Sequence, residues 1–139
     1  MDQSKKVLLI EDELFISDLY KHILADAGLM VEEAMDGEQG LEKAKNGGIG
    51  LILLDIMLPR LNGIEVLRKL KADSTTSSIP VVLLSNLGQS TVVKLAYDLG
   101  AQGYLLKIKT SPKNLVKCVR DFLSNPLLKI DFDTLDLDV

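Results

Sequence analysis

Three stretches of this chain are almost purely apolar yet only four to six residues long: VLLI at 7–10, GLILLD at 50–55 and PVVLLS at 80–85. A strand with one wet face alternates apolar and polar residues. A run without that alternation is a strand covered on both faces, as happens when helices pack on both sides of a parallel sheet. No other feature narrows the possible folds as much. Two weaker runs, MVEEA at 30–34 and GYLL at 103–106, bring the set to five. MVEEA is more polar and is expected at one edge of the sheet; GYLL is short and is expected at the other.

Amphipathic stretches separate the runs. Phe15, Leu19, Ile23 and Leu24 recur at helical spacing within Leu14–Ala27. Leu41 and Ala44 mark a second helix starting near Asp36-Gly37-Glu38, and Ile64, Val66, Leu67 and Leu70 mark a third. Val92, Val93, Leu95, Ala96 and Leu99 mark a fourth. Leu115, Val116, Val119, Phe122 and Leu123 mark a fifth, with Ser111 as its N-cap and Pro112 at its first position. Gly28, Gly47-Gly48 and Gly100 stand where helices should stop. The alternation predicts a doubly wound (βα)5 domain of the flavodoxin-like kind, a parallel five-stranded sheet in order 2-1-3-4-5 with right-handed crossovers.

A length of 139 residues suits one such domain, and 47% hydrophobic residues suffice for its core. Trp is absent and aromatics make up only 4%, so Leu, Ile, Val and Ala must fill that core. A net charge of −4 without a basic patch argues against direct nucleic-acid or anionic-membrane binding. Cys118 is the only cysteine, which excludes an internal disulfide. Neither a signal-peptide pattern at Met1–Val7 nor an apolar run of about 18 residues is present, so a cytoplasmic protein is expected.

In an open α/β sheet, ligands bind beyond the carboxyl ends of the strands. Here the first strand ends in Glu11-Asp12-Glu13, the third in Asp55, the fourth in Ser85-Asn86 and the fifth in Lys107. Order 2-1-3-4-5 makes these four strands consecutive and gathers carboxylates, a hydroxyl and an ammonium at one rim. Clustered carboxylates repel unless a cation or proton intervenes. Oxygen-only donors favour a hard cation such as Mg²⁺. Mg²⁺ with Lys107 would neutralise a phosphoryl group arriving at Asp55, whose carboxylate can attack phosphorus in line.

At these residues the chain resembles the receiver domain of two-component response regulators, in particular the single-domain chemotaxis and sporulation-relay receivers. The matching segments are VLLIEDE, LILLDIMLPRLNG, IPVVLLSN and GAQGYLLK, within Lys5 to about Leu123. The resemblance implies that Asp55 is the phosphoacceptor in a phosphorelay. Asp12 and Asp55 would ligate Mg²⁺ directly, Glu11 through water, and the main-chain carbonyl of Met57 would add a ligand. It makes Ser85 the switch hydroxyl, Tyr104 the rotating aromatic and Lys107 the phosphate-binding lysine. The phosphodonor would be a histidine kinase or histidine phosphotransfer protein. Phosphorylation would change the surface around the fourth helix, fifth strand and fifth helix, for an output protein the sequence does not name. The chain would catalyse its own phosphorylation and dephosphorylation without being a turnover enzyme. His22 is expected on the surface and Cys118 as an inert thiol.

Several positions depart from the family pattern. Ile108 follows Lys107 where a proline in a cis peptide is usual; the expected outcome is a trans bond with a reshaped loop, the alternative a strained cis bond. Asn86 follows Ser85 where a small residue is common, and would narrow phosphoryl access or add a hydrogen bond. Met57 and Leu87 cannot orient water, which predicts slow self-hydrolysis. Gln102-Gly103 replaces an acidic pair common in receivers that dimerise through the last two helices. Arg120 remains, with Asp98 as the nearby acid, so a monomer or transient dimer is expected.

The domain is expected to span 1–123 and a C-terminal acidic tail 124–139. The stretch PLLKIDFDTLDLDV carries four Asp against one Lys, and Ile130, Phe132, Leu135, Leu137 and Val139 are its candidates for docking; the alternative is a disordered end. Three competing functions stay open. A degenerate receiver acting as a phosphorylation-independent interaction module is suggested by Asn86 and Ile108. An Asp-nucleophile phosphatase would need an Asp where Met57 stands. A flavin binder would need a Ser/Thr/Gly-rich first loop where IEDEL stands.

Overall fold

The computed structural model describes residues 5–130. Five parallel strands, β1 (Lys6–Ile10), β2 (Val31–Ala34), β3 (Ile49–Leu54), β4 (Val81–Ser85) and β5 (Gly103–Leu106), lie in the order β2-β1-β3-β4-β5. The helices between and after them are α1 (Leu14–Asp26), α2 (Gly37–Lys45), α3 (Gly63–Ala72), α4 (Ser90–Asp98) and α5 (Pro112–Ser124). The predicted topology is therefore observed, with the polar β2 and the short β5 at the two edges.

Side chains of β1, β3 and β4 alternate between two cores. Leu8, Ile52 and Leu83 meet Val66 and Leu67 of α3 and Ala96 of α4. Val7, Leu51 and Val82 meet Leu24 of α1 and Val119 and Phe122 of α5. All six residues of β3 are buried, which is why its sequence shows no polar alternation. Each buried Leu, Ile or Val contributes about 1.5–3 kcal/mol, so β3 is the anchor of the sheet.

Ser111 caps α5 by accepting from the Asn114 N–H at 3.1 Å, with Pro112 behind it. Asp36 caps α2 through the Gln39 N–H at 2.8 Å. The Asn-Gly pair of PRLNG looks like a turn in the sequence but starts a helix: Asn62 accepts from the Glu65 N–H at 3.1 Å, and Gly63 is the first residue of α3. A Cβ on Gly63 would run into the carbonyl of Asp55, so only glycine lets the helix start this close to the end of β3.

After β5 the chain makes a 3-10 turn, Lys107–Lys109, and the Lys107–Ile108 peptide is trans. Arg120 does not face α4: its Nη2 donates to the carbonyl of Ala27 at 2.8 Å, tying α5 to the end of α1. Beyond α5, residues 126–130 return to the start of β5. Gln102 Nε2 donates to the carbonyls of Pro126 and Leu128 at 2.9 and 2.7 Å, and the Ile130 N–H donates to the Gln102 carbonyl at 2.8 Å. Lys129 Nζ lies 5.7 Å from the centre of the Tyr97 ring. Ile130 thus belongs to a packed segment, whereas Phe132, Leu135, Leu137 and Val139 lie outside the described residues.

Candidate functional site

Register decides what meets at the rim. Ile10 pairs with Leu54, and Ser85 with Leu106. The next residues, Glu11, Asp55 and Lys107, therefore leave the sheet side by side with the end of β4. Glu11 and Asp55 are 1% and 5% exposed, so each carboxylate has lost most of its hydration.

Lys107 answers that burial. Its Nζ stands 2.5 Å from Glu11 Oε1 and 3.0 Å from Asp55 Oδ2. Burial opposes its charge, but the two carboxylates outweigh burial and raise its pKa above the ordinary lysine value. The Glu11 pKa is raised chiefly by burial, with Asp55's charge adding to it and Lys107 opposing it. Asp55 Oδ1 also accepts from the Met57 N–H at 3.3 Å, and Glu11 Oε2 from the Glu13 N–H at 3.2 Å.

Glu11, Asp12 and Asp55 each offer an oxygen within 4.8 Å of the others. Three carboxylates without nitrogen or sulfur donors suit a hard divalent cation such as Mg²⁺. A cleft of about 430 Å³ opens above them, lined by Asp12, Glu13, Asp55, Met57, Asn86, Leu87 and Lys107. The Met57 side chain is exposed at its mouth. Two larger grooves, between α2 and α3 and between α1 and α5, lie away from this cluster.

Ser85 is fully buried, and its hydroxyl accepts from the Leu87 N–H at 3.2 Å. Tyr104, also buried, donates its hydroxyl to the carbonyl of the same Leu87. Burial pushes the Tyr104 phenol up to about 12, against the Ser85 hydroxyl and with a contribution from Asp55. The loop after β4 is thus held from both the serine and the tyrosine. His22 is exposed on α1. Cys118 is half-buried, its thiol pushed up to about 11 by burial.

Two features of the site are not visible in the residue pattern. Tyr20 of α1 sits near enough to Lys107, Glu11 and Asp55 to feel their charges, although burial is the main reason its pKa is raised. Asn86 Oδ1 accepts from the Ile108 N–H at 3.2 Å, so two departures from the family pattern touch each other. Their separation by 22 residues leaves no periodic signal.

Residues 7–120 match the family described as the response regulator receiver domain. The chain is 34% identical over 126 residues to a probable transcriptional regulator, ycf29, of Pyropia yezoensis, across 91% of this chain and 56% of that protein. It is 40% identical over 102 residues to the DNA-binding dual master transcriptional regulator RpaA of Synechocystis, across 73% of this chain and 42% of that protein. It thus spans about half the length of these curated relatives. Among solved structures, the chemotaxis protein CheY4 of Vibrio cholerae superimposes with a TM-score of 0.78 at 29% identity, covering 85% of this chain and 98% of that one. The receiver domain of the Francisella response regulator 1452 gives 0.80 at 26% identity, covering 88% and 98%.

Proposed function

The chain belongs to the response regulator receiver family of two-component signalling, and on that premise we propose that it takes a phosphoryl group onto Asp55 from a histidine kinase or histidine phosphotransfer protein. The observation that carries this reading is the single ammonium, Lys107, held between two buried carboxylates at 2.5 and 3.0 Å. A buried positive charge beside the nucleophile offers a partner for an incoming anion.

In this mechanism an Asp55 oxygen forms a bond to phosphorus as the phosphorus–nitrogen bond to the donor imidazole breaks. Lys107 pivots from the carboxylates to a phosphoryl oxygen, and the Ser85 hydroxyl donates to another. Asp12 and Asp55, Glu11 through water, and the Met57 carbonyl would hold Mg²⁺. When bound, Mg²⁺ supplies positive charge that offsets carboxylate–phosphoryl repulsion. Ser85 and Tyr104 act on the same loop through Leu87, so a serine drawn toward the phosphoryl group alters the tyrosine's acceptor. That coupling supports a population shift at the α4–β5–α5 surface. Two relatives bear names of transcriptional regulators. An output through transcription fits those names.

The test is incubation with acetyl phosphate and Mg²⁺, followed by intact mass measurement. A gain of one phosphoryl mass, absent in Asp55→Asn, is expected. No gain, with cognate kinase supplied as a second donor, overturns the reading in favour of a phosphorylation-independent interaction module.

A further inference from the structure

Lys107 can serve Asp55 only if its backbone is fixed, because a lysine side chain has four rotatable bonds and no rigidity of its own. The turn that carries it is short. In Lys107–Lys109 the first N–H groups have no acceptor inside the turn, as at any helix start. The Thr110 hydroxyl donates to the Leu106 carbonyl at 2.7 Å, which closes the turn on one side. The Ile108 N–H, belonging to the residue directly after the lysine, donates instead to Asn86 Oδ1 at 3.2 Å, on the neighbouring strand's exit loop.

We propose that Asn86 is a positioning residue for Lys107: it accepts the Ile108 N–H, and so pins the root of the lysine to the end of β4. The proposal rests on the phosphoacceptor reading above. Asn86 directly follows Ser85 and lines the cleft with Asp55 and Lys107. One short side chain therefore ties the serine's strand to the lysine's turn, and the two phosphoryl-facing groups move together. A proline at 108 would have no N–H to give and an alanine at 86 no side-chain acceptor, so the device needs a non-proline at 108 and an acceptor at 86. The donor also fixes the amide's orientation: its oxygen faces Ile108, and its –NH₂ end is left for other partners.

The test uses the whole chain and four variants, Asn86→Ala, Asn86→Asp, Ile108→Pro and the double variant Asn86→Ala with Ile108→Pro. Before any phosphorylation, amide exchange at Ile108 is expected to be roughly five- to tenfold faster in Asn86→Ala, the value of one hydrogen bond. Asn86→Asp keeps an acceptor of the same reach and keeps the protection. The ¹⁵N resonance of the Lys107 ammonium should shift in Asn86→Ala. With acetyl phosphate and Mg²⁺, phosphorylation of Asn86→Ala should slow about tenfold, within what a sub-ångström misplacement of a charged group costs. In the Ile108→Pro background, adding Asn86→Ala should change nothing further. Unchanged Ile108 exchange and Lys107 resonance in Asn86→Ala overturn the proposal. Changed resonances with an unchanged phosphorylation rate also overturn it, as does an additive double variant. If the wild type gains no phosphoryl group while Asn86→Ala changes both the Ile108 exchange rate and the Lys107 resonance, the phosphoacceptor reading fails and the positioning of Lys107 stands.

Discussion

Glu11 and Lys107 are bound to each other, and both hold their protons more tightly in the fold, so the stability tied to each falls as pH rises. The Lys107 pKa is raised above 10.5, so its contribution to stability is complete below 10.5 and disappears as pH rises through the folded-state value. The Glu11 pKa is raised above 4.5. A carboxyl raised on folding adds stability when protonated, and that gain is lost as pH rises through its folded value. Ionising Glu11 therefore weakens the metal-free fold. Urea unfolding without Mg²⁺ should show stability rising as pH falls toward 4.5, and Glu11→Gln should flatten that slope; an equal slope in the variant would show that another group is responsible. Adding Mg²⁺ should act as bound ligands do, by about 2.7 kcal/mol at a hundredfold excess over Kd, and Asp12→Ala should abolish the gain. At the mouth of the cleft, Met57 and Leu87 offer no group to align water. Met57→Asn or Leu87→Glu should shorten the phosphoryl lifetime severalfold in a decay assay. Identical lifetimes would dissociate these side chains from hydrolysis.

At the level of elements, the join between β3 and α3 is the tightest near the site. The Gly63 N–H donates to the Ile56 carbonyl at 2.8 Å, so the helix start grips the loop that carries Asp55. In Gly63→Ala the new methyl would press on the Asp55 backbone. Overpacking of this kind costs about 1–3 kcal/mol. The variant should unfold at lower urea and also lose phosphorylation rate, since the strain falls on Asp55, the proposed phosphoacceptor. Strands such as β3 were legible in the sequence because burial on both faces leaves a continuous apolar run, and Asp55 was legible because the run stops there. The role of Asn62 was not legible: Asn-Gly serves both turns and helix starts, and only the register of α3 distinguishes them. The partner of Arg120 was not legible either, because a long side chain on α5 can reach α1 or α4 equally well from the same residue spacing.

Across the whole molecule, the segment after α5 makes the domain's boundary less sharp than its composition suggests. Gln102 holds Pro126 and Leu128, and Leu128 and Ile130 pack against the core beside α5. Gln102→Ala removes two of these hydrogen bonds and should cost about 1–2 kcal/mol. It should also expose the chain near Leu127 to limited proteolysis sooner than in the wild type. Equal proteolysis would mean the segment is held by its apolar contacts alone. This docking escaped the sequence because Gln102 reads as a mere absence of acid, and its partners lie 24 and 26 residues on. The same separation in sequence governs the site itself, on a larger scale: Lys107 meets Asp55 across 52 residues and Glu11 across 96. During synthesis, Glu11, Asp12 and Asp55 leave the ribosome well before their ammonium does. A chain still short of residue 107 bears its acids without their counterion, so the growing chain completes this charged cluster only once residue 107 has emerged.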